Sequence, residues 1–133
     1  MSPAFVAFEP YTHAEGVWDY LEERFGMPRS GFAGFRLWQR GAGKTVWILP
    51  CGVEVPGDLK IEWAGLPVLR QPLPRGFPTN AFVRRFGDRA TRNAFDVDWD
   101  TALRLMYDHQ IEAEPLDPKG GPYVVRSPLG PLG

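Results

Sequence analysis

Residues 35–49 read FRLWQRGAGKTVWIL, and this stretch predicts two strands joined by a tight turn. The runs from Phe35 to Arg40 and from Thr45 to Leu49 are rich in the aromatic and β-branched residues that favour strands. The turn between them, Gly41-Ala-Gly-Lys44, holds the glycines that hairpin turns prefer. We therefore expect a β-hairpin here, as part of a small sheet.

The end of the same stretch also resembles a nucleotide-binding P-loop, because Gly43 is followed by Lys44 and Thr45. A complete P-loop needs another glycine five residues before Gly43, where this chain has Trp38, and a helix after the threonine. The residues after Thr45 are strand-like. The pattern therefore favours a hairpin turn over a phosphate-binding loop.

Three helices are predicted around the strands. The first spans 13–25, with a capping box of Thr12 and Glu15 at its start and Gly26 as a left-handed cap. The second, near 79–86, begins at Thr79 and stops at Gly87.

The third helix spans about 99–107 and is capped by Asp98. Apolar residues recur along it at i, i+3, i+4 and i+7, which predicts one buried face: Trp99, Ala102, Leu103 and Met106.

Further strands are predicted at 59–63, 68–69, 94–97 and 123–125, and the tail from Ser127 is expected to be irregular. A proline- and glycine-rich connection ends at Gly76 and marks a boundary between residues 1–75 and 76–133. We expect the two regions to pack as one compact unit. The fold class is α+β, with short helices inserted in a mostly antiparallel sheet.

Composition fits one domain with one core, since 44% of the 133 residues are hydrophobic. The chain has no run of about 20 apolar residues, so we expect no membrane contact. The first residues lack a basic start and do not resemble a signal peptide. The single cysteine, Cys51, forms no internal disulfide, which favours a cytoplasmic location. Cys51 follows an apolar strand and is expected to be buried.

Metal, cofactor and catalytic sites are not predicted. Asp96, Asp98 and Asp100 imitate the start of a calcium loop, but that loop needs Gly and Glu at its sixth and twelfth positions. Two histidines and one cysteine are too few for a structural zinc site. No pair of carboxylates stands out for acid–base catalysis.

The net charge of −1 conceals one basic block. Residues 68–92 hold six arginines and one acid, a net charge of +5, whereas 1–67 sum to −2 and 93–133 to −4. A concentrated basic block indicates a local surface for a polyanion. The alternative is that the arginines are solvated or paired with acids that the fold brings near.

The candidate polyanion contacts lie on the second helix and the loop after it. Arginines at a helix end and in the next loop are able to contact several phosphates of one strand. Compensation of the helix dipole explains Arg84 and Arg85 equally well, but not Arg89 or Arg92. The candidate contacts are Thr79, Asn80, Arg84, Arg85, Arg89 and Arg92.

The same segment carries a family resemblance. Pro78-Thr-Asn-Ala81, Phe86-Gly87 and Ala90-Thr-Arg-Asn93 closely resemble the C-terminal PUA-like module of the Sun/Fmu (RsmF-like) RNA 5-methylcytosine methyltransferases. Residues 20–28, 34–36 and 46–48 resemble the pre-PUA region that precedes this module. Residues 131–133 resemble the Pro-Leu-Gly found after the last recognisable strand of the family.

The chain departs from the family at three places. The family often has a basic residue at the position of Phe77 and a Gly-Glu turn at 108–110. It also continues into another strand after Pro-Leu-Gly. Residues 76–133 are therefore expected to form a truncated PUA-like region.

The resemblance implies a PUA-like pseudo-barrel preceded by a pre-PUA helix and hairpin, and it implies RNA binding. We expect a standalone, noncatalytic RNA-binding module linked to rRNA or tRNA modification or ribosome biogenesis, with a modification enzyme as a further partner. Methyltransferase activity is not expected, because the enzymes need two cysteines and a cofactor domain. The alternative function is a protein-interaction adaptor whose arginines meet an acidic partner.

Overall fold

The computed structural model describes residues 8–40, 43–54, 65–108 and 121–133. Within these residues the chain is a mixed α+β protein. The helices are α1 (Ala14–Phe25), α2 (Asn80–Phe86) and α3 (Trp99–Asp108), and short 3-10 turns span Arg29–Phe32 and Gly87–Arg89. The strands are β1 (Phe8–Pro10), β2 (Phe35–Arg40), β3 (Val46–Pro50), β4 (Leu66–Leu69), β5 (Ala94–Asp96), β6 (Val124–Ser127) and β7 (Gly130–Pro131).

The first sheet is antiparallel and has the order β1-β2-β3-β4. It contains the predicted hairpin, in which Trp38 of β2 pairs with Trp47 of β3. A strand therefore follows Thr45, and the P-loop interpretation is excluded. Strand β1 was not predicted, and the strand predicted at 59–63 lies outside the described residues.

The second sheet has the order β5-β6-β7, with β5 and β6 parallel and β6 and β7 antiparallel. The prediction of an irregular tail is wrong, because Ser127 Oγ donates to the carbonyl of Gly130 at 3.0 Å and closes a tight hairpin. Gly130 has φ +136°, which favours glycine. In the part of the chain that is described, neither sheet closes into a barrel.

Helix α1 ends as predicted but begins differently. Gly26 is left-handed, with φ +64°, and its N–H donates to the carbonyl of Glu22 at 2.9 Å. The predicted capping box is wrong: the N-cap position is His13, without a side-chain cap hydrogen bond. The carboxylate of Glu15 forms an ion pair with Arg29 instead.

The other two helices occupy the predicted segments. Thr79 caps α2, although Gly87 is right-handed and continues into a 3-10 turn. Asp98 caps α3, where the N–H of Thr101 donates to it at 2.8 Å and holds the pKa of the carboxyl group below its ordinary value.

The apolar face predicted for α3 is only partly buried. Ala102 is buried, whereas the larger side chains on that face remain about half exposed to solvent: Trp99, Leu103 and Met106. The described elements therefore cover only a narrow strip of this helix.

The main core unites residues from before and after residue 76. Leu21 and Phe25 of α1, Phe82 of α2 and Val124 of β6 are almost fully buried in one cluster. The ring of Phe32 stacks on that of Phe82, with 6.1 Å between ring centroids. The boundary between residues 1–75 and 76–133 stays a prediction. Residues from both sides of it pack in the same core.

Cys51 differs from its prediction because β3 ends one residue before it. The chain turns at Cys51 and Gly52, and the thiol is exposed, with Sγ 3.8 Å from the carbonyl oxygen of Ala33. No helix in the described ranges is long and apolar enough to cross a bilayer.

Candidate functional site

A loop between β4 and α2 builds one wall of a surface groove. The chain leaves β4 at Leu69 and returns at Pro78, and these two residues form an antiparallel bridge. The N–H of Gly76 donates to the carbonyl of Pro72 at 3.0 Å and tightens the loop. A Cβ on Gly76 would lie 1.8 Å from the carbonyl oxygen of Gln71, so only glycine fits at this position.

We call this depression the arginine groove. It has a volume of about 580 Å³, within the range of known ligand sites. Among the described residues that line it, the charged side chains are all arginines and none is acidic: Arg70 and Arg75 come from the loop and Arg84 from α2. The site is therefore electropositive.

The three arginines keep most of their donors available. Arg70 and Arg75 are exposed and make no hydrogen bond or ion pair with the described residues. Arg84 donates one hydrogen bond from Nε, at 3.3 Å, to the carbonyl of Leu132. Because a guanidinium has five N–H donors, each of these side chains is able to bind an anionic oxygen.

Phe77 places an aromatic ring in the same groove. Its side chain is 63% exposed, although phenylalanine is normally buried. The ring lies between Gly76 and Pro78, in a loop that the hydrogen bonds above hold in place. An exposed ring beside exposed arginines offers a surface on which a planar group can stack.

Thr79 and Asn80, two of the predicted contacts, also line this groove. The hydroxyl of Thr79 already donates to the carbonyl of Pro67 at 2.5 Å and accepts from the N–H of Phe82 at 3.0 Å. Thr79 is only 9% exposed. Its hydroxyl therefore holds the start of α2 in place and is not offered to a ligand. Asn80 is exposed, and its amide is free to contact a ligand.

Arg89 and Arg92 lie elsewhere and hold the two halves of the chain together. Arg89 Nη1 donates to the carbonyl of Gly31 at 2.6 Å, and its guanidinium lies about 5 Å from the rings of Phe32 and Phe86. Arg92 Nη2 donates to the carbonyl of Glu22 at 3.1 Å, at the end of α1.

Arg85 is exposed and lies 5.0 Å from the ring of Phe86, outside the lining of the arginine groove. The structure thus brings Thr79, Asn80 and Arg84 together and separates them from Arg85, Arg89 and Arg92. The basic block therefore has two parts: some of its arginines line the arginine groove, and others make contacts that stabilise the fold.

Sequence reasoning missed Arg70, Arg75 and Phe77. Both arginines lie in the basic block, but the loop that carries them was treated only as a connection. A signal was present, because functional side chains often lie on loops that a rigid scaffold positions, and this loop is rich in proline. Nothing in the described ranges groups three or more metal-ligating His, Cys, Asp or Glu residues.

Comparison with known proteins identifies one family. Residues 7–65 match the model of DUF7122, a family of unknown function. The match covers less than half of the chain and ends before β4, so the arginine groove lies outside it. No curated protein and no solved structure matches the chain.

Proposed function

We propose that the protein is a noncatalytic RNA-binding module and that the arginine groove is its RNA site. The observation that carries the proposal is the presence of three arginines and an exposed Phe77 in one groove, whose described lining residues include no acidic side chain. Arginines bind backbone phosphates, and exposed aromatic rings stack on unpaired bases. Both contacts are available on the same surface.

The groove offers little for catalysis. The part of its lining that the structure describes holds no acidic side chain, histidine or cysteine for acid–base or nucleophilic chemistry, and the hydroxyl of Thr79 is committed to two hydrogen bonds. We therefore propose binding without chemistry.

The wider context rests on the resemblance of residues 78–93 to the PUA-like module, and α2 within that segment forms a wall of the groove. On this basis we propose a PUA-like fold, a role in rRNA or tRNA modification or ribosome biogenesis, and a modification enzyme as partner. The single cysteine supports a cytoplasmic location.

The direct test is a fluorescence anisotropy titration of a labelled single-stranded RNA with wild type and Arg70→Gln/Arg75→Gln. The double variant should bind at least about tenfold more weakly, because it loses two charge-assisted contacts with phosphate.

The matched control is Arg36→Gln/Arg40→Gln, which removes the same charge from two arginines of β2, neither of which lines the groove. It should bind within about twofold of wild type, since neither side chain lines the groove and salt at 0.15 M screens exposed charges that do not contact the RNA directly. An equal loss in both double variants would indicate nonspecific attraction and contradict the proposed site.

The second candidate function is a protein-interaction adaptor. It is favoured by the exposed apolar side chains of α3: Trp99, Leu103 and Tyr107. Binding of a protein through this helix would depend weakly on salt, whereas binding of RNA through the arginine groove would weaken steeply as salt increases.

A further inference from the structure

A second groove adjoins the arginine groove. It has a volume of about 530 Å³ and lies between α2, α3 and the hairpin of β6 and β7. We call it the apolar groove, because most of its lining is apolar: Leu105, Met106, Val125, Pro131 and Leu132.

The two grooves share a wall. Asn80 and Arg84, both on α2, line each of them. The hydrogen bond from Arg84 Nε to the carbonyl of Leu132, at 3.3 Å, holds the guanidinium against the far side of the apolar groove. Arg84 therefore places a positive charge where the arginine groove and the apolar groove meet.

Backbone hydrogen bonds fix the floor of the apolar groove. The N–H of Leu132 donates to the carbonyl of Val125 at 2.7 Å, and the N–H of Val125 donates to the carbonyl of Gly133 at 2.9 Å. Pro131 packs against Gly87, where a Cβ would lie 3.0 Å from the proline ring. The recess is thus preformed, which limits the entropy lost when a ligand enters.

The remaining features of the apolar groove suit a nucleobase. The side chain of Met106 is 57% exposed at its edge, and thioethers make favourable contacts with aromatic rings. Among the described residues that line the groove, no side chain is acidic. The Asn80 amide at the shared wall offers both a donor and an acceptor.

We propose that one unpaired RNA strand crosses both grooves, with a base on Phe77, a phosphate at Arg84 and a further base in the apolar groove against Met106. This inference rests on the proposed function and narrows its ligand to single-stranded RNA. The bases of a duplex are paired and stacked, so they cannot enter two separate recesses without melting.

The test uses calorimetric titrations of the full chain with three probes: an octaadenylate RNA, an eight-base-pair RNA duplex, and an octamer with the same backbone but no bases. Wild type should bind octaadenylate at least about tenfold more tightly than either other probe, because only octaadenylate presents free bases.

Variants at Phe77 and Met106, the two proposed base contacts, test where the RNA strand lies. Phe77→Ala should weaken octaadenylate binding about 5- to 150-fold, the range measured for loss of one stacked base. Met106→Ala should weaken it at least about fivefold. Neither variant should change binding of the octamer without bases, whereas Arg84→Gln should weaken binding of both single-stranded probes.

Leu103→Ala is the matched control for Met106→Ala. It removes an exposed apolar side chain from the same helix but lies outside both grooves, so it should bind like wild type. If octaadenylate binds wild type and Met106→Ala equally, or if the duplex binds as tightly, the two-groove path is wrong while the arginine groove stands. If wild type binds no probe at low salt, the proposed function and this inference both fail.

Discussion

Arginines close together in the sequence differ in role here because their surroundings differ. Arg89 meets a carbonyl and two rings, whereas Arg70 and Arg75 meet no described partner. Two of the three contacts of Arg89 come from Gly31 and Phe32, 58 and 57 residues earlier in the chain, so composition and local spacing did not reveal them. Charge alone therefore predicted a basic surface but not which arginines remain available.

The contact of Arg89 yields a prediction about stability. Arg89→Ala should lower the free energy of unfolding by about 1–3 kcal/mol, because it removes a charge-assisted hydrogen bond and two ring contacts. Arg89→Lys should not restore the loss, since an ammonium group lacks the planar face that stacks on rings. Urea unfolding followed by tryptophan fluorescence measures both.

Arg85→Ala provides the control for Arg89→Ala, because Arg85 is exposed and contacts one ring without a hydrogen bond. It should change the free energy of unfolding by no more than about 0.5 kcal/mol. Equal losses in the two alanine variants would show that Arg89 has no special structural role.

Helices and long strands were predicted well because their signals are local. The apolar spacing and Gly26 define α1, and alternating strand residues around a glycine turn define the β2–β3 hairpin. The very short strands β1 and β7 carry little pattern of their own, and their pairing partners determine them. The predicted capping box is wrong for a related reason. Glu15 pairs with Arg29, which lies beyond the end of α1, and the local pattern around Glu15 does not indicate this partner.

Helix α2 depends on the hydroxyl of Thr79. Thr79→Val keeps the shape of the side chain but removes the hydrogen bonds that the hydroxyl makes with the buried carbonyl of Pro67 and the N–H of Phe82. We expect a loss of about 2–4 kcal/mol in the free energy of unfolding, combining the helix cap with the buried carbonyl. Thermal unfolding and urea unfolding should both show that the variant is less stable than wild type.

Thr79→Ser separates the hydroxyl from the methyl group. It keeps both hydrogen bonds and should lose no more than about 1 kcal/mol, close to the value of one buried methyl group. A serine variant as unstable as the valine variant would contradict the role assigned to the hydroxyl.

For the whole molecule, the grooves arise from packing between distant segments. Asn80 and Arg84 were predicted as contacts, and they do line both grooves. The arginine groove also needs the loop after β4, and the apolar groove needs α3 and the C-terminal hairpin. The two grooves meet at α2 because the surrounding elements pack on one shared core. The sequence predicts the apolar face of each element but not how these faces pack together.

The central claim is that Arg70 and Arg75, together with Arg84, contact RNA phosphates in one groove. The decisive measurement is the salt dependence of RNA affinity for wild type, Arg70→Gln/Arg75→Gln and Arg85→Gln/Arg92→Gln. Both variants lose two charges from the same basic block, but only the first loses them from the groove.

Each phosphate contact with a single strand contributes about −0.7 to the slope of log affinity against log salt concentration. The groove variant should therefore flatten the slope by about 1.4 relative to wild type, and the second variant should leave it almost unchanged. A slope that flattens only in Arg85→Gln/Arg92→Gln, or a wild type that fails to bind RNA at low salt, would contradict the account.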